Sequence, residues 1–324
     1  MLLRITTFNL ENLFTRYSSI DDPLVPGNPR VAITGITSTN YQGNPLSRAL
    51  TVLQRNNTAR AILDCQPDIL AVQEVENLWT LRLFNDQYLS GYFDRMLLIE
   101  GNDGRGIDVG FCIRKGYNAT ILGIRTHMDD LDPSDSNASC VTRYYNEVTN
   151  EVQVTGALFS RDCLEVDVEV GSTPLTFLVT HLKAQDGKKA SNTRRLEQAT
   201  RLAGIARLTT QGGRRPIVVG DLNEDFAAAP SNLKPLKDLI GGVLSDPFQG
   251  DSDGWTHFYV AGNEISRLDY ILVDSRLEVV SKSILRKGIT LKCALAGERY
   301  PTIGYVDTEA SDHCPVTVTL QLPG

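Results

Sequence analysis

The chain has 324 residues, of which 41% are hydrophobic and 22% are charged, and its formal net charge at pH 7 is −7. This is the composition of a soluble globular protein, and no stretch approaches the ~18 apolar residues that a membrane-spanning helix needs. An acidic chain without the layout of a signal peptide is expected to be cytoplasmic, unless a leader was removed, and to bind polyanions poorly in a non-specific way.

The N-terminal half alternates apolar runs with polar turns. Residues 2–8 are predicted to form a strand that ends at Asn9. Residues 17–45, rich in Gly, Pro, Ser, Thr and Asn, are predicted to form a long loop. The remaining elements predicted in this half are a helix at 47–63, a strand at 68–73, a helix at 78–89, a strand at 108–113 and a loop at 128–139.

The C-terminal half is richer in strands. Strands are predicted at 153–159, 163–170 and 175–180, an amphipathic helix at 191–208, and strands at 216–220, 268–273 and 316–322. Because no internal repeat or linker is visible, we expect one domain over residues 1–324, and a monomer.

Six cysteines are spread along the chain without a C-x-x-C pair, so the spacing of zinc or redox motifs is absent. We expect free thiols, since disulfides are rare in cytosolic proteins. A Cys140–Cys163 bridge is the alternative.

Polar residues recur where apolar strands end, which is where α/β scaffolds carry their sites. Glu74 and His181 each follow such a run, although a surface carboxylate and a structural histidine are the alternatives. The run V-V-G-D-L-N is more specific, because Asp221 and Asn223 share one face of an extended chain. A carboxylate and an amide suit a phosphate with its attacking water, whereas a plain Asp–Asn turn is the alternative.

The sequence S-D-H-C-P places Asp312 directly before His313. Adjacent side chains do not normally face each other, so we expect another acid to hold His313. Asp269, in R-L-D-Y, is the best candidate.

Together, T-F-N-L-E-N-L at the start, G-D-L-N, R-L-D-Y-I-L and S-D-H-C-P-V near the end resemble the endonuclease/exonuclease/phosphatase superfamily. This superfamily includes deoxyribonuclease I and abasic-site endonucleases, and the resemblance covers nearly the whole chain. It implies an α/β (α+β) fold, a four-layer sandwich of two packed mixed β-sheets flanked by helices. It also implies Mg²⁺ or Mn²⁺, which fits a chain offering carboxylate and amide oxygens in place of clustered cysteines.

The resemblance implies a metal-binding group and a catalytic group. Glu74 would be the principal metal ligand, and Asn9, Glu11 and Asp312 would complete the coordination directly or through water. Whether one or two metal ions are used is open.

In the catalytic group, Asp221 would position or deprotonate the attacking water, and Asn223 would hold that water and a phosphate oxygen. Asp269 would orient His313, which could stabilise charge or act as the base. His181 would bind a phosphate oxygen or protonate the leaving group. Which of Asp221 and His313 is the base stays open.

Two regions bear on the substrate. Basic residues follow His181, and Lys183 and Arg194 among them, with Arg105, are predicted to contact phosphates; a solvated helix face is the alternative. Trp255 and His257, in G-W-T-H-F-Y, could wall the pocket or stack on a base, or could equally be core.

Departures from other branches narrow the prediction. Inositol phosphatases have Cys-Asp-Arg where R-L-D-Y stands, sphingomyelinases carry exposed apolar loops, and abasic-site endonucleases have tyrosine in place of His181. We therefore predict a nuclease-like phosphodiesterase acting on DNA or RNA. The alternatives are an enzyme of small phosphorylated metabolites or lipids, and a non-catalytic binding domain.

Overall fold

The computed structural model describes residues 1–14, 18–22, 25–32, 52–146, 151–305 and 308–323. In chain order, its elements are β1 (Leu2–Leu13), β2 (Ser18–Asp22), β3 (Val25–Ala32), α1 (Val52–Cys65), β4 (Ile69–Val75), α2 (Leu78–Tyr88), β5 (Phe93–Leu98), β6 (Asp108–Arg114), β7 (Ala119–Arg125), β8 (Thr142–Asn146), β9 (Glu151–Thr155), β10 (Cys163–Val170), β11 (Thr173–His181), α3 (Lys189–Gln211), β12 (Arg215–Asp221), α4 (Lys234–Lys237), β13 (Leu244–Ser245), β14 (His257–Tyr259), β15 (Glu264–Ser266), β16 (Asp269–Asp274), β17 (Glu278–Ile284), a 3₁₀ helix (Ala294–Ala296) and β18 (Val316–Gln321).

Two six-stranded sheets form the centre of the fold. The first has the order β17-β18-β1-β4-β6-β5, and the second has the order β13-β16-β12-β11-β10-β7. Each sheet is antiparallel except for one parallel pair, β1–β4 in the first and β11–β12 in the second. The carboxyl ends of those two parallel pairs carry the polar residues singled out in the sequence.

The inward faces of the two sheets pack against each other. Alternate residues of each strand point to one face, and this face is apolar in both sheets, for example Ile5 and Ile69 in the first and Phe177 and Ile217 in the second. The rings of Phe111 and Phe177 meet across the interface with centroids 5.1 Å apart. This apolar layer fixes how the ends of one sheet face the ends of the other.

Helices cover the two outer faces. Ile62 of α1 and Phe84 of α2 pack on β1 and β4, whereas Leu202 and Ala206 of α3 pack on the second sheet. The order of layers is helix, sheet, sheet, helix, which confirms the predicted four-layer sandwich of mixed sheets.

Several predicted elements differ from those observed. The predicted loop at 17–45 contains the antiparallel strand pair β2–β3. Its residues 17, 23–24 and 33–45 lie outside the described residues, as do residues 47–51 of the predicted helix 47–63. The predicted strand 153–159 stops at Thr155, because Gly156 has a φ of +78° and turns the chain.

Two further expectations concern the whole chain. All six cysteines are free, so Cys140 and Cys163 are not joined. Within the described ranges, no helix combines the length and the apolar character needed to cross a bilayer.

Candidate active site

Three polar side chains stand side by side at one end of the second sheet. His181 pairs with Asp221 in the β11–β12 register, and Asp221 pairs with Asp269 in the β12–β16 register. The Nε2 atom of His181 lies 3.4 Å from Oδ2 of Asp221. Strand pairing alone therefore brings together one histidine and two aspartates. The two most distant of them in the sequence, His181 and Asp269, are 88 residues apart.

The first sheet meets this group through Asn9. Asn9 lies near the end of β1, next to Gln73 of the parallel strand β4, and Glu74 follows directly. The Nδ2 atom of Asn9 donates a hydrogen bond of 3.2 Å to Oδ2 of Asp221. This contact joins the two sheets at the proposed site.

Two contacts hold His313, one to its ring and one to its backbone N–H. Its Nδ1 atom lies 2.8 Å from Oδ2 of Asp269, the acid expected from the sequence to hold it. Its backbone N–H donates to Oγ of Ser311, whose hydroxyl donates to the carbonyl of Asn9. Its Nε2 atom lies between two carboxylates, 3.8 Å from Oδ2 of Asp221 and 3.9 Å from Oδ1 of Asp312.

Asp269 is buried completely and is fixed by Thr256. The Thr256 hydroxyl donates 2.7 Å to Oδ2 of Asp269 and accepts the backbone N–H groups of Leu268 and Asp269. These contacts orient the carboxylate that contacts His313. Among the described residues, its other oxygen, Oδ1, has no hydrogen-bond partner.

The buried ionisable groups of the site shift one another's pKa values. Burial raises the pKa of Asp221 to about 7, with a further increase from Asp269 and an opposing decrease from His313. Burial alone would lower the pKa of His313, but Asp269 and then Asp221 raise it well above its usual value. The arrangement therefore favours an imidazolium at His313 beside a carboxyl that can exchange a proton near neutral pH.

The pKa of His181 is shifted in the opposite direction to that of His313. Burial, together with the positive charges of Arg161 and His313, lowers the pKa of His181 well below its usual value, so this imidazole is neutral. Its Nδ1 atom is buried and has no hydrogen-bond partner in the described part of the chain. Asn223 lies beside it, donating from Nδ2 to Asp221 and to the carbonyl of Leu182.

Backbone strain is concentrated here. Four of the seven non-glycine residues with positive φ in the described ranges lie around the site: Glu11 (48°), Asn12 (59°), Glu74 (61°) and Asn223 (56°). Such conformations are costly and are kept where the surrounding structure needs them. The bend at Asn12 lets its backbone N–H donate to Oε2 of Glu74.

The carboxylates predicted to bind metal influence one another's ionisation. Burial and the charge of Asp312 raise the pKa of Glu74, and burial, Asp312 and Glu309 raise the pKa of Glu11 well above its usual value. Oδ1 of Asn9 accepts the backbone N–H of Glu11 at the same place. Carboxylates that raise one another's pKa are stabilised by a hard dication, so the oxygen-donor chemistry of these residues fits Mg²⁺ or Mn²⁺.

Arg105, Arg161 and Lys183 form a positively charged border of the site. Asp103 pairs with both Arg105 (3.1 Å) and the buried Arg161 (3.2 Å), so two guanidiniums share one carboxylate. Lys183 belongs to the same border, because burial and then Arg161 lower the pKa of its amine. Arg105 is close enough to Glu74 to lower its pKa.

The predicted substrate contacts divide into two groups. Arg105, Lys183 and His257 are brought to the site, with Nε2 of His257 3.8 Å from Oδ2 of Asp312. Arg194 is not: it binds Asp132 at 2.6 Å and the carbonyl of Ala157.

Trp255 occupies an apolar cluster, with 5% of its surface exposed. Its neighbours there include Phe258 and Cys314, and the guanidinium of Arg286 lies 4.3 Å from its ring centroid. This is the environment of a core residue, which was the alternative interpretation for Trp255.

The basic stretch after His181 is largely neutralised by the protein itself. Arg195 is buried against Glu224 at 2.9 Å, and Arg201 binds Asp130 at 2.7 Å. These guanidiniums anchor α3, so the stretch as a whole is not a free cationic face.

Three residues of the site were not predicted. Thr256 and Ser311 lie inside motifs that had been noticed, G-W-T-H-F-Y and S-D-H-C-P, yet their hydroxyl contacts depend on the packed structure. Arg161 had one signal, an arginine set between largely apolar segments, and it proves to be 1% exposed.

Comparisons with known proteins bear on the family and the fold of the chain. A model of the "Endonuclease/Exonuclease/phosphatase family" matches residues 7–313. A search of curated proteins finds no significant match.

Solved structures share the fold over almost the full chain. An endonuclease/exonuclease/phosphatase from Bacteroides vulgatus is 16% identical with a TM-score of 0.58, covering 100% of both chains. Truncated Caenorhabditis elegans TDP2 is 14% identical with a TM-score of 0.59, covering 99% of this chain and 98% of that one. The human nocturnin catalytic domain with bound sulfate is 15% identical with a TM-score of 0.58, covering 99% and 95%.

Proposed function

The chain belongs to the endonuclease/exonuclease/phosphatase family, and from this premise we propose that it is a divalent-metal-dependent phosphoesterase that hydrolyses phosphodiester bonds in nucleic acid. The observation that carries the proposal is the environment of Asp221. One buried carboxyl lies 3.2 Å from Asn9, 3.4 Å from His181 and 3.8 Å from His313.

These groups match the needs of phosphate hydrolysis. In-line attack by water places negative charge on the non-bridging and leaving oxygens, and preorganised donors stabilise that charge. Asp221, with its pKa raised to about 7, takes the proton of the attacking water. The two amide N–H groups of Asn223 bind Asp221 and the carbonyl of Leu182, so Asn223 accepts a hydrogen bond from the attacking water through Oδ1. The neutral His181 donates a hydrogen bond to the phosphate, and His313, held as an imidazolium by Asp269, stabilises the developing charge.

Glu74, Asp312, Asn9 and Glu11 would hold the metal ion, Mg²⁺ or Mn²⁺. A bound dication polarises the phosphoryl group and stabilises its charge. The chain itself supplies the rigid frame, because Asn12 fixes Glu74 through its backbone N–H and Ser311 fixes the segment that carries Asp312.

The charged border supports a polyanionic substrate. Arg105 and Arg161 share the single carboxylate of Asp103, which leaves a net positive charge, and Lys183 adds to it. The side chain of Arg105 is 55% exposed, so it can reach a phosphate next to the scissile one. The bound sulfate of the nocturnin structure supports the same scaffold accepting a tetrahedral anion.

A second candidate function has its own supporting observation. The net charge is −7, and most arginines after His181 are bound to the protein's own acids. A small phosphorylated metabolite or lipid would need only the short border at Arg105 and Lys183.

Hydrolysis assays separate these functions. Plasmid DNA, single-stranded DNA, RNA, bis-p-nitrophenyl phosphate and p-nitrophenyl phosphate are incubated with Mg²⁺, Mn²⁺ or EDTA. We expect metal-dependent cutting of nucleic acid that His313→Ala loses. Hydrolysis of the small esters alone would assign the chain to small phosphoesters, and no hydrolysis with either metal would refute the proposal.

A matched pair of variants tests the mechanism. Asp221→Asn should abolish turnover and leave the fold intact, whereas Asp238→Asn, at a half-exposed carboxyl paired with Lys234 on α4, should keep wild-type rates. An active Asp221→Asn enzyme would show that another group activates the water.

A further inference from the structure

Two histidines from distant parts of the chain lie opposite each other beside the proposed site. His257, the first residue of β14, pairs with His313 in an isolated antiparallel bridge. The backbone N–H of Phe258 donates to the carbonyl of Asp312, and that of Cys314 donates to Thr256. Side chains at directly opposite positions fall on the same face, and the two imidazole centroids are 4.7 Å apart.

Both imidazoles present their Nε2 atoms to one carboxylate. The Nε2 atom of His257 lies 3.8 Å from Oδ2 of Asp312, and the Nε2 atom of His313 lies 3.9 Å from Oδ1 of the same residue. One ligand atom from each of these three residues lies within 4.8 Å of the other two. These separations approach the roughly 3.4 Å between ligands of a tetrahedral ion with bonds of about 2.0–2.2 Å.

The second nitrogen of each ring is already engaged. The Nδ1 atom of His313 lies 2.8 Å from Asp269, and the Nδ1 atom of His257 lies 3.2 Å from Oγ of Ser266. Metal-bound histidines characteristically use the other ring nitrogen in this way, because the contact fixes the tautomer and the ring orientation. Both Nε2 atoms thereby lie near the two oxygens of one carboxylate, which is 36% exposed.

We propose that His257, Asp312 and His313 form a binding site for Zn²⁺. Imidazole nitrogens suit Zn²⁺, whereas Mg²⁺ takes oxygen ligands, so this site is chemically distinct from the oxygen donors around Glu74. Asp312 is common to both. Two imidazoles and one carboxylate leave a fourth position open to water. Binding displaces the Nε2 proton of His313 to solvent, and the site requires no substrate, so it holds whether or not the chain hydrolyses phosphodiesters.

Equilibrium zinc binding tests the site without any activity measurement. The protein carries Cys140→Ser, because Cys140 is the exposed thiol among the six cysteines, and is stripped of metal. Zn²⁺ is then titrated against a chromophoric chelator in millimolar Mg²⁺. We expect one zinc per chain and an affinity at least about tenfold lower in His257→Gln. Unchanged affinity in that variant would overturn the proposal.

His127 supplies the control. Its two ring nitrogens also face carboxylates, Asp130 and Glu165, at 3.0 Å each, but lie outside the proposed zinc site. His127→Gln should keep the zinc affinity, and an equal loss in both variants would refute a site at His257.

Histidine NMR of the chain with its four native imidazoles gives an answer that does not depend on any histidine variant folding. Zinc should shift the Nε2 resonances of His257 and His313 and leave those of His127 unchanged. A shift confined to His127 or His181 would place the ion elsewhere and refute the site.

Discussion

Replacing Asp269 by Asn tests whether a negative charge behind His313 drives the reaction. Oδ2 of Asp269 accepts from Thr256 at 2.7 Å and lies 2.8 Å from Nδ1 of His313. An amide oxygen at the same position can keep both contacts, but the charge is lost. The amide nitrogen then takes the place of Oδ1, which is buried without a hydrogen-bond partner among the described residues.

The structure gives the size of both effects. An unsatisfied buried N–H group costs about 1–3 kcal/mol, so the free energy of unfolding should fall by that amount. The pKa of His313, which Asp269 raises, should fall as well, and the imidazolium becomes less populated. Losing one preorganised charge-stabilising group costs about 10²–10³-fold in kcat, so kcat should fall by that factor, or about 2.7–4 kcal/mol of activation free energy.

The assay compares initial rates on bis-p-nitrophenyl phosphate at saturating Mg²⁺ with urea unfolding of the same preparations. Asp274→Asn is the control, because Asp274 is buried at the other end of β16 and binds Arg276 at 2.7 Å. It should lose stability but keep its kcat. A kcat of Asp269→Asn within about threefold of wild type would refute the reasoning, since the expected effect begins near 10²-fold.

Three further predictions use other parts of the molecule. Gly220→Ala should lower the free energy of unfolding by more than about 3 kcal/mol, because a Cβ there would collide with the carbonyl oxygen of Thr180, whereas Gly204→Ala in open space on α3 should raise it by about 0.5–1 kcal/mol; equal urea midpoints would contradict this. His127→Gln should be more destabilising near pH 5.5 than near pH 9, because a folded-state pKa raised above the unfolded value adds stability at low pH that is lost as pH rises through it; a pH-independent difference in urea unfolding would exclude this. Zn²⁺ should inhibit Mg²⁺-dependent hydrolysis by occupying His313, and inhibition in His257→Gln should need at least about tenfold more zinc; equal inhibition would place the inhibitory ion elsewhere.

The sequence predicted the interior strands and failed at the sheet edges. The central strands β1, β4, β11 and β12 are apolar runs because both of their faces are covered, and such runs stand out in a sequence. The strands β5, β7, β13 and β17, none of which was predicted, are the edges of the two sheets. β17, for example, has the mostly exposed sequence E-V-V-S-K-S-I, where polar residues remove the apolar signal.

The predicted catalytic residues converge because strand ends converge. Asn9, His181 and Asp221 each end an apolar run, so their meeting required only the order of strands in the sheets. The contact between Asp269 and His313 was predicted by excluding the adjacent Asp312.

Contacts that depend on tertiary packing escaped prediction. Arg194 looks like a phosphate ligand in sequence, but its partner Asp132 is 62 residues away in the chain. The hydroxyl of Thr256 reaches Asp269 only after the hairpin β14–β15 has docked. Local sequence carries no signal for either contact.

The hydrogen bond between Asn9 and Asp221 has a consequence for how this protein loses function. The proposed site takes Asn9 and Glu74 from one sheet and His181 and Asp221 from the other. Neither sheet alone therefore supplies the residues that catalysis needs. A swollen state could keep the hydrogen bonds within each sheet, and its far-ultraviolet circular dichroism, while the apolar layer between them loosens. Turnover would then vanish before secondary structure does, which makes catalytic rate a sensitive gauge of whether the two sheets are in contact.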